Sequence, residues 1–211
     1  MDYAANGYLP EAMLNYLARL GWSHGDEELF SIDQMVAWFD GSHLSKSPAQ
    51  WDAAKLTWVN AHYIKQADDG RLAGLVAAQL AGRGVVAPLD ERLNAMCALF
   101  KDRCNTTVEL ADWLQMYFAP VSPTAEDLAT HLTDAVRPAL ASLCDRLAAC
   151  PWDKPGIALA LRETLAEHKL KMPALAMPLR ALLCGRTQTP SVDAVVALFE
   201  RETALARLQH I

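Results

Sequence analysis

The sequence predicts an all-α protein, on three observations. Nearly every apolar pattern repeats with the period of an amphipathic helix, and no stretch alternates apolar and polar residues for long enough to predict a strand. Proline and glycine separate the periodic stretches, and capping residues begin several of them. Apolar residues make up 52% of the 211 residues, which argues against disorder and is enough for a packed core.

Three helices are predicted between residues 1 and 66. Pro10 lies in the first turn of the first helix, where proline is tolerated. Ser31 and Gln34 have the spacing of a capping box, which indicates the start of a second helix. Asp52 begins the third helix, and the polar, acidic stretch that follows it predicts a boundary.

Three more helices are predicted between residues 67 and 121. The first follows the acidic stretch directly. Pro88 opens the second, and Thr106 with Glu109 forms a capping box for the third. Two prolines within residues 119–123 stop one helix and restart the next, so they predict the second boundary.

Residues 122–211 are predicted to be helical to the end, with a turn between the last two helices. The first of these ends at Gly185, because glycine accepts a left-handed conformation. The Thr189 hydroxyl caps the second, which has Pro190 at its first helical position and runs to around Leu208, with Glu200 as the candidate position of a kink. The unpaired N–H groups of that helix start can meet an acceptor from outside.

Charge is distributed unevenly along the chain. The net charge of −6 divides into +3 for residues 154–211 and −9 for residues 1–153. Only the C-terminal part therefore has the sign that a phosphate backbone favours.

The sequence contains no motif that predicts catalysis. It lacks a glycine-rich phosphate loop and an H-E-x-x-H pair, and its six histidines are scattered. The five cysteines form no C-x-x-C pair, which predicts free core thiols and no metal site. No apolar run is long enough to cross a bilayer, and MDYAANGYLPEA does not have the pattern of a signal segment, so we expect a cytoplasmic protein without a membrane partner.

Arg103 and Arg180 are the candidate recognition residues, because a guanidinium group suits bidentate contacts with base edges and phosphates. Arg103 lies between an apolar helix and a capping box, so it is expected to project from a helix junction. A surface ion pair with Asp102 or Glu109 is the alternative. Arg180 lies within an apolar helix, where its charge must reach solvent along the helix surface or find a specific partner.

Four stretches that together span most of the chain share their order and pattern with one enzyme family. They are GYLPEAMLNYLARLGWS (residues 7–23), SKSPAQWDAAKLTWVNAHYI (45–64), LFKDRCNTTVELADW (99–113) and KMPALAMPLRALLCGRTQTPSVDAVVALFERE (171–202). In this order they resemble the bacterial glutamyl-tRNA synthetases. The likeness is to the segment after the lysine-rich catalytic loop, the stem-contact segment, the anticodon-binding segment and the end of the enzyme.

The resemblance implies a C-terminal fragment of such a class I synthetase. The H-I-G-H-type motif and the K-x-S-K-type loop of the family's nucleotide-binding domain are missing. Ser45-Lys46-Ser47 is not that loop, because it falls after GYLPEAMLNYL. The implied arrangement is a stem-contact segment (residues 1–66) and two helical anticodon-binding subdomains (67–121 and 122–211) that form a cage. The fragment alone is expected to be inactive and without a cofactor, since ATP and Mg belong to the parent enzyme.

The family's pattern also implies roles for individual residues. Arg103 matches the arginine that contacts the third anticodon base, and Arg180 matches a position around the first two bases. The same role falls to a corner of four residues: Thr189, Pro190, Ser191 and Val192. Three cations are candidate phosphate contacts: Arg186, Lys169 and Lys171.

The predicted function is therefore recognition of the anticodon loop of tRNA(Glu) by a monomer, with no DNA partner, as part of a glutamate-tRNA ligase. The acidic residues 1–153 leave a second hypothesis open, a non-catalytic helical scaffold that binds protein. Binding that weakens with salt would favour the first, because phosphate contacts release counterions. The sequence leaves open whether glutamine tRNA is also accepted.

Overall fold

The computed structural model describes residues 2–45 and 48–209. Within these residues the structure is helical, and the one pairing of extended backbone is an isolated antiparallel bridge between Trp22 and Leu44. The all-α prediction is confirmed. Lys46 and Ser47, which the sequence assigns to a polar loop, lie outside the described residues.

The helices follow one another with short connections. In chain order they are α1 (Pro10–Arg19), α2 (Ile32–Trp38), α3 (Ala53–Gln66), α4 (Asp69–Ala81), α5 (Glu91–Phe100), α6 (Thr107–Leu114), α7 (Ala125–His131), α8 (Arg137–Ala149), α9 (Lys154–Glu167), α10 (Met172–Cys184), α11 (Val192–Ala197) and α12 (Arg201–Leu208). Two 3-10 turns, Lys101–Arg103 and Gln115–Tyr117, follow α5 and α6.

The chain divides into two compact units, Met1–Leu114 and Gln115–Ile211. The predicted boundary after residue 66 falls between α3 and α4, inside the first unit. The one after residue 121 falls before α7, inside the second unit. The division into a stem-contact segment and two subdomains is a functional one, and it stays a prediction.

The first unit packs α1 against α3, and α4 against α5 and α6. Apolar residues three and four positions apart build its core, because they share one face of a helix. The fully buried side chains include Leu56, Ile64, Leu72, Leu80, Leu93, Met96, Phe100, Leu110 and Leu114.

Capping residues explain most helix starts in this unit. The Ser31 hydroxyl accepts from the Gln34 N–H while the Gln34 side chain accepts from the Ser31 N–H, as the capping box predicts. The Asp52 carboxylate caps α3. The prediction for Pro88 was wrong, because Asp90 caps α5 through the Leu93 N–H and the helix begins at Glu91.

The second unit is held together partly by two arginines of α12. Arg207 donates to the carbonyl oxygens of Leu183 and Ala119, and its guanidinium lies over the Phe199 ring. Arg201 donates to the carbonyls of Ala148 and Cys150. Helix C-termini leave carbonyls without partners inside the helix, so these cations stabilise the ends of α8 and α10. The turn after α10 is therefore held by the C-terminal helix.

The predicted helix from Pro190 to around Leu208, with its candidate kink near Glu200, is divided into two helices in the structure. The chain forms α11 and α12 with a break at residues 198–200. The N–H groups of Leu198 and Phe199 bond three residues back, which tightens the last turn of α11. The Phe199 carbonyl accepts from the Trp152 indole at 2.7 Å, so it has a partner outside the helix.

Candidate nucleic-acid interface

Arg103 lies at the end of the 3-10 turn between α5 and α6, on a loop that the first unit holds on both sides. On one side, the Lys101 ammonium lies 2.8 Å from the Asp69 carboxylate and donates to the Ala67 carbonyl at 2.9 Å. On the other side, buried Cys104 donates through its thiol to the Phe100 carbonyl. The loop therefore has a defined position in the fold.

The Arg103 side chain itself is exposed and forms no hydrogen bond or ion pair with the described residues. The alternative of an ion pair with Asp102 or Glu109 does not occur among them. The Glu109 carboxylate instead accepts from the backbone N–H of Asn105 at 2.7 Å, and the Glu109 N–H donates to the Thr106 hydroxyl. The predicted capping box is thus half formed. The N–H donors of Arg103 therefore have no acceptor among residues 2–45 and 48–209 and are available to a ligand.

Arg180 is held by the corner that follows α10. Its Nε donates to the Thr189 hydroxyl at 2.9 Å, and one terminal nitrogen donates to the Pro190 carbonyl at 3.3 Å. The half-buried guanidinium keeps further N–H groups for an outside acceptor. Arg180 has found a specific partner inside the protein, which is one of the two outcomes expected for a cation in an apolar helix.

The helix start at this corner differs from the prediction. Gly185 does end α10 in a left-handed conformation, with φ at +68°. However, Thr189 does not cap the next helix, because its oxygen accepts from Arg180 and its hydroxyl donates to the Pro190 carbonyl. Pro190 also precedes α11 by two positions, since the N-cap is Ser191 and the first helical residue is Val192.

The four corner residues differ in exposure. Ser191 is exposed and its side chain makes no capping bond, so its hydroxyl is available. Thr189 and Pro190 are buried behind Arg180. Val192 keeps only 6% of its surface exposed. Ser191 and Arg180 are therefore the two side chains of this corner that a ligand can reach.

The candidate phosphate contacts lie at opposite ends of α10. Lys169 and Lys171 are exposed before its start and have no partner among the described residues. Arg186 follows its C-terminal cap, is half-buried and is already engaged within the protein. Nine residues separate Lys171 from Arg180, or about 14 Å at the rise of an α-helix. Only an extended ligand can contact both.

Lys169 has an unusual backbone conformation. Its φ is +53°, and its N–H and that of Leu170 bond back to the carbonyls of Ala166 and Leu165. This is the Schellman arrangement, in which glycine normally occupies the left-handed position. A lysine there costs about 1–2 kcal/mol relative to a right-handed conformation. Strained non-glycine residues of this kind concentrate at functional sites.

Asn60 is a polar residue that the sequence did not single out. It is fully buried in α3, four residues after Leu56 and beside Val59 on the apolar face. A polar residue on the apolar face of a helix is the signal that could have identified it, because burial of a polar side chain is costly unless its hydrogen bonds are satisfied. Its side chain contacts the loop after Arg103, through the Asn105 carbonyl.

The described residues provide neither a reactive buried thiol nor a cluster of metal ligands. Burial raises the pKa of the thiols of Cys97, Cys104 and Cys184 to about 12, so they stay protonated at neutral pH. All five cysteines are free, but only these three are buried as predicted, because Cys144 and Cys150 are partly exposed. No three His, Cys, Asp or Glu side chains come together within residues 2–45 and 48–209 to hold a metal ion.

Two protein families match different parts of the chain. Residues 71–211 match the family described as "Anticodon binding domain". Residues 1–58 match the family described as "tRNA synthetases class I (E and Q), catalytic domain". Most of the segment that was assigned to stem contact, residues 1–66, is therefore counted with the catalytic domain in that family.

Curated relatives are similar over the whole chain. The glutamate-tRNA ligase of Leptothrix cholodnii is 60% identical over 211 residues, which are 100% of this chain and 45% of the relative. The glutamate-tRNA ligase of Janthinobacterium sp. (strain Marseille) is 57% identical over 99% of this chain and 45% of the relative. The chain thus spans less than half the length of the relatives it matches.

Solved structures agree with these matches. The structure of a glutamate tRNA ligase from Elizabethkingia meningosepticum, in complex with its amino acid, has a TM-score of 0.89 and 25% identity, covering 99% of this chain and 42% of that one. A glutamate-tRNA synthetase from Elizabethkingia anophelis has a TM-score of 0.84 at the same identity. The chain belongs to the anticodon binding domain family, in the form in which that domain occurs in glutamate-tRNA ligases.

Proposed function

We propose that this chain recognises the anticodon loop of tRNA(Glu). The observation that carries the proposal is the held guanidinium of Arg180, which is fixed by Thr189 and Pro190 and keeps N–H donors free. Single-stranded loop bases are read by side chains that hydrogen-bond to their exposed edges. A prepositioned guanidinium gives such contacts at a low cost in conformational entropy.

Arg103 contributes a second reading position from the first unit. Its side chain is exposed and has no partner in the described part of the chain, and its loop is fixed at Lys101 and Cys104. Arg103 contacts the third anticodon base, while Arg180 and Ser191 act at the first two. Thr189 and Pro190 position Arg180, and Val192 packs beneath the corner.

In the whole enzyme this recognition selects tRNA(Glu) for aminoacylation. ATP and Mg serve the catalytic domain of that enzyme, and the described part of this chain has no cluster of ligands for a metal. Residues 1–66 contact the tRNA stem, which leads from the anticodon loop toward the active site of the whole enzyme. No helix among the described residues is long and apolar enough to span a membrane. The protein acts as a monomer in the cytoplasm.

The sign and placement of charge favour RNA at the C-terminal part. Residues 154–211 carry an excess of three positive charges, and Lys169 and Lys171 are exposed there with no partner among the residues that the structure describes. Each phosphate neutralised on a single strand lowers the logarithm of the binding constant by about 0.7 per logarithmic unit of salt. Two to three such contacts predict a roughly tenfold loss of affinity between 50 and 200 mM salt.

The first test measures the affinity of the chain for tRNA(Glu) at these two salt concentrations. We expect salt-sensitive binding that an altered anticodon weakens. The Arg103→Ala variant is expected to lose about 1–2 kcal/mol of binding free energy, and the loss should be confined to tRNA with the native third anticodon base.

The outcomes separate the hypotheses. Binding that depends on salt but ignores the anticodon would reduce the role of the chain to phosphate contacts. Absence of binding even at low salt would overturn the proposal. In that case the helical protein-binding scaffold would be the better account, and its complexes would be insensitive to salt.

Replacing Lys169 with glycine is expected to stabilise the protein and weaken RNA binding together. Glycine relieves the left-handed strain at this position, so the free energy of unfolding should rise by about 1 kcal/mol. Loss of the ammonium should lower RNA affinity and reduce the salt slope by about 0.7. Thermal unfolding and salt-dependent binding measure the two effects.

Lys169→Arg is the matched control, because it keeps both the charge and the strained backbone. Its stability and salt slope should equal those of the wild type. A glycine variant with unchanged RNA affinity would remove Lys169 from the set of phosphate contacts.

A further inference from the structure

Asn60 joins three separate segments of the first unit through one side chain. Its Oδ1 accepts from the Leu9 N–H at 2.8 Å. Its Nδ2 donates to the Gly7 carbonyl at 3.2 Å and to the Asn105 carbonyl at 2.5 Å. Both amide protons are therefore used, and the side chain is 0% exposed.

These bonds cross the division between the two matched families. Gly7 and Leu9 lie in the part of the chain that matches the class I catalytic domain, which ends at residue 58. Asn105 lies in the part that matches the anticodon binding domain, which begins at residue 71. Asn60 stands between the two stretches and bonds to both. The Thr107 N–H adds a direct bond to the Gly7 carbonyl at 3.0 Å.

Asn105 also lies two residues after Arg103. The Arg103 loop is held at its start by the contacts of Lys101 and at its end by Asn105. Removal of the Asn60 amide would release that end, because the Asn105 carbonyl would lose this donor, whereas the Gly7 carbonyl would keep the Thr107 N–H. The loop would then sample more conformations, and RNA would have to order it on binding.

We infer that Asn60 is a positioning residue that couples RNA contact at Arg103 to the segment of residues 7–9. Its amide holds the Arg103 loop in the conformation that reads a base. Any ligand that stabilises this loop therefore also stabilises the hydrogen bonds at Gly7 and Leu9. The inference rests on the proposed function, in which Arg103 contacts RNA.

The test is a double-mutant cycle between Asn60→Asp and Arg103→Ala, with tRNA(Glu) as the ligand. The aspartate is nearly isosteric and keeps the acceptor for Leu9, but it lacks the two N–H donors. In the wild type, Arg103→Ala should weaken binding roughly tenfold. In the Asn60→Asp background, the same change should weaken it by less than about threefold, because the two residues act through one loop.

Asn15 provides a matched control within the same unit. It is 1% exposed, donates to the Glu28 carbonyl and accepts from the Phe30 N–H and the Tyr63 hydroxyl. None of these partners belongs to the Arg103 loop. Asn15→Asp therefore removes comparable buried donors, yet Arg103→Ala should still cost roughly tenfold in that background.

Hydrogen exchange of the unmodified chain supplies a readout that needs no variant. Addition of tRNA(Glu) should slow exchange at the amides of Leu9 and Thr107, and should leave the Phe30 amide unchanged. If the Asn60→Asp variant fails to fold, this measurement still tests the coupling between the Arg103 loop and residues 7–9.

Three outcomes would overturn the inference. Additive costs of Arg103→Ala and Asn60→Asp would do so, as would unchanged exchange at Leu9 and Thr107 on RNA binding. Either result would leave the proposed function standing. Wild-type binding that is absent or indifferent to Arg103→Ala would overturn the coupling together with the proposed reading role of Arg103.

Discussion

Replacing Arg180 with alanine is expected to weaken binding of tRNA(Glu) by about 2–3 kcal/mol, the upper part of the range for a base-reading arginine. The expected loss is large because two contributions add. The variant loses the N–H donors that face the ligand, and it also removes the Arg180 bonds to the Thr189 hydroxyl and the Pro190 carbonyl, which then keep only their bond to each other. Equilibrium binding at fixed salt measures the effect.

Two further variants separate base reading from positioning. Arg180→Lys keeps the charge but loses the planar fork, so it should recover phosphate attraction without anticodon discrimination. Thr189→Val keeps the shape and removes the acceptor that holds the Arg180 Nε, so it should cost about 1 kcal/mol of binding. If lysine restored full discrimination, Arg180 would act as a point charge and the proposed bidentate role would be wrong.

Replacing Gly7 with alanine is expected to lower the free energy of unfolding by about 2–4 kcal/mol. Gly7 has φ at +82°, and an added Cβ would lie 2.7 Å from the Val108 nitrogen and 2.8 Å from that of Thr107. The left-handed conformation costs an alanine about 1–2 kcal/mol, and the backbone clash adds about as much again. The N-terminus of α6 has to shift, because these contacts are with backbone.

Gly25→Ala is the control, since Gly25 also has a positive φ, +54°, but an added Cβ there meets nothing within 4 Å. It should cost only about 1–2 kcal/mol. Denaturant unfolding followed by tryptophan fluorescence compares the two variants, because five of the six tryptophans lie in the first unit. If the two variants lost equal amounts of unfolding free energy, the close approach of Gly7 to the backbone of α6 would contribute nothing to the cost of Gly7→Ala.

The all-α fold class and most helix starts could be predicted from the sequence because their causes are local. The period of the apolar residues specifies a helix face, and the caps at Ser31 and Asp52 depend on atoms three residues apart. Gly185 is another local case, since its left-handed conformation follows from the absence of a side chain. These predictions needed no knowledge of what packs nearby.

The predictions at Thr189 and Pro190 failed because a distant partner competes for the same groups. Thr189 has the residue type and the position of a helix cap, but its oxygen is taken by Arg180, nine residues earlier. The end of α11 has a similar cause, since the Trp152 indole bonds to the Phe199 carbonyl. A hydroxyl or a carbonyl has few bonds to make, so a partner from another helix can override the local choice.

The candidate site also combines features that the sequence predicted with features that depend on tertiary packing. Arg103 and Arg180 were named from residue type, helix context and family resemblance, without coordinates. Arg103 has no partner in the described ranges, whereas Arg180 is held by Thr189 and Pro190. This difference depends on which groups come within hydrogen-bond distance after packing. Asn60 is the clearest case, because its three partners lie 45 to 53 residues away in sequence. Local pattern specifies helices and family, whereas long-range hydrogen bonds between helices and loops set the position of the side chains that meet a ligand.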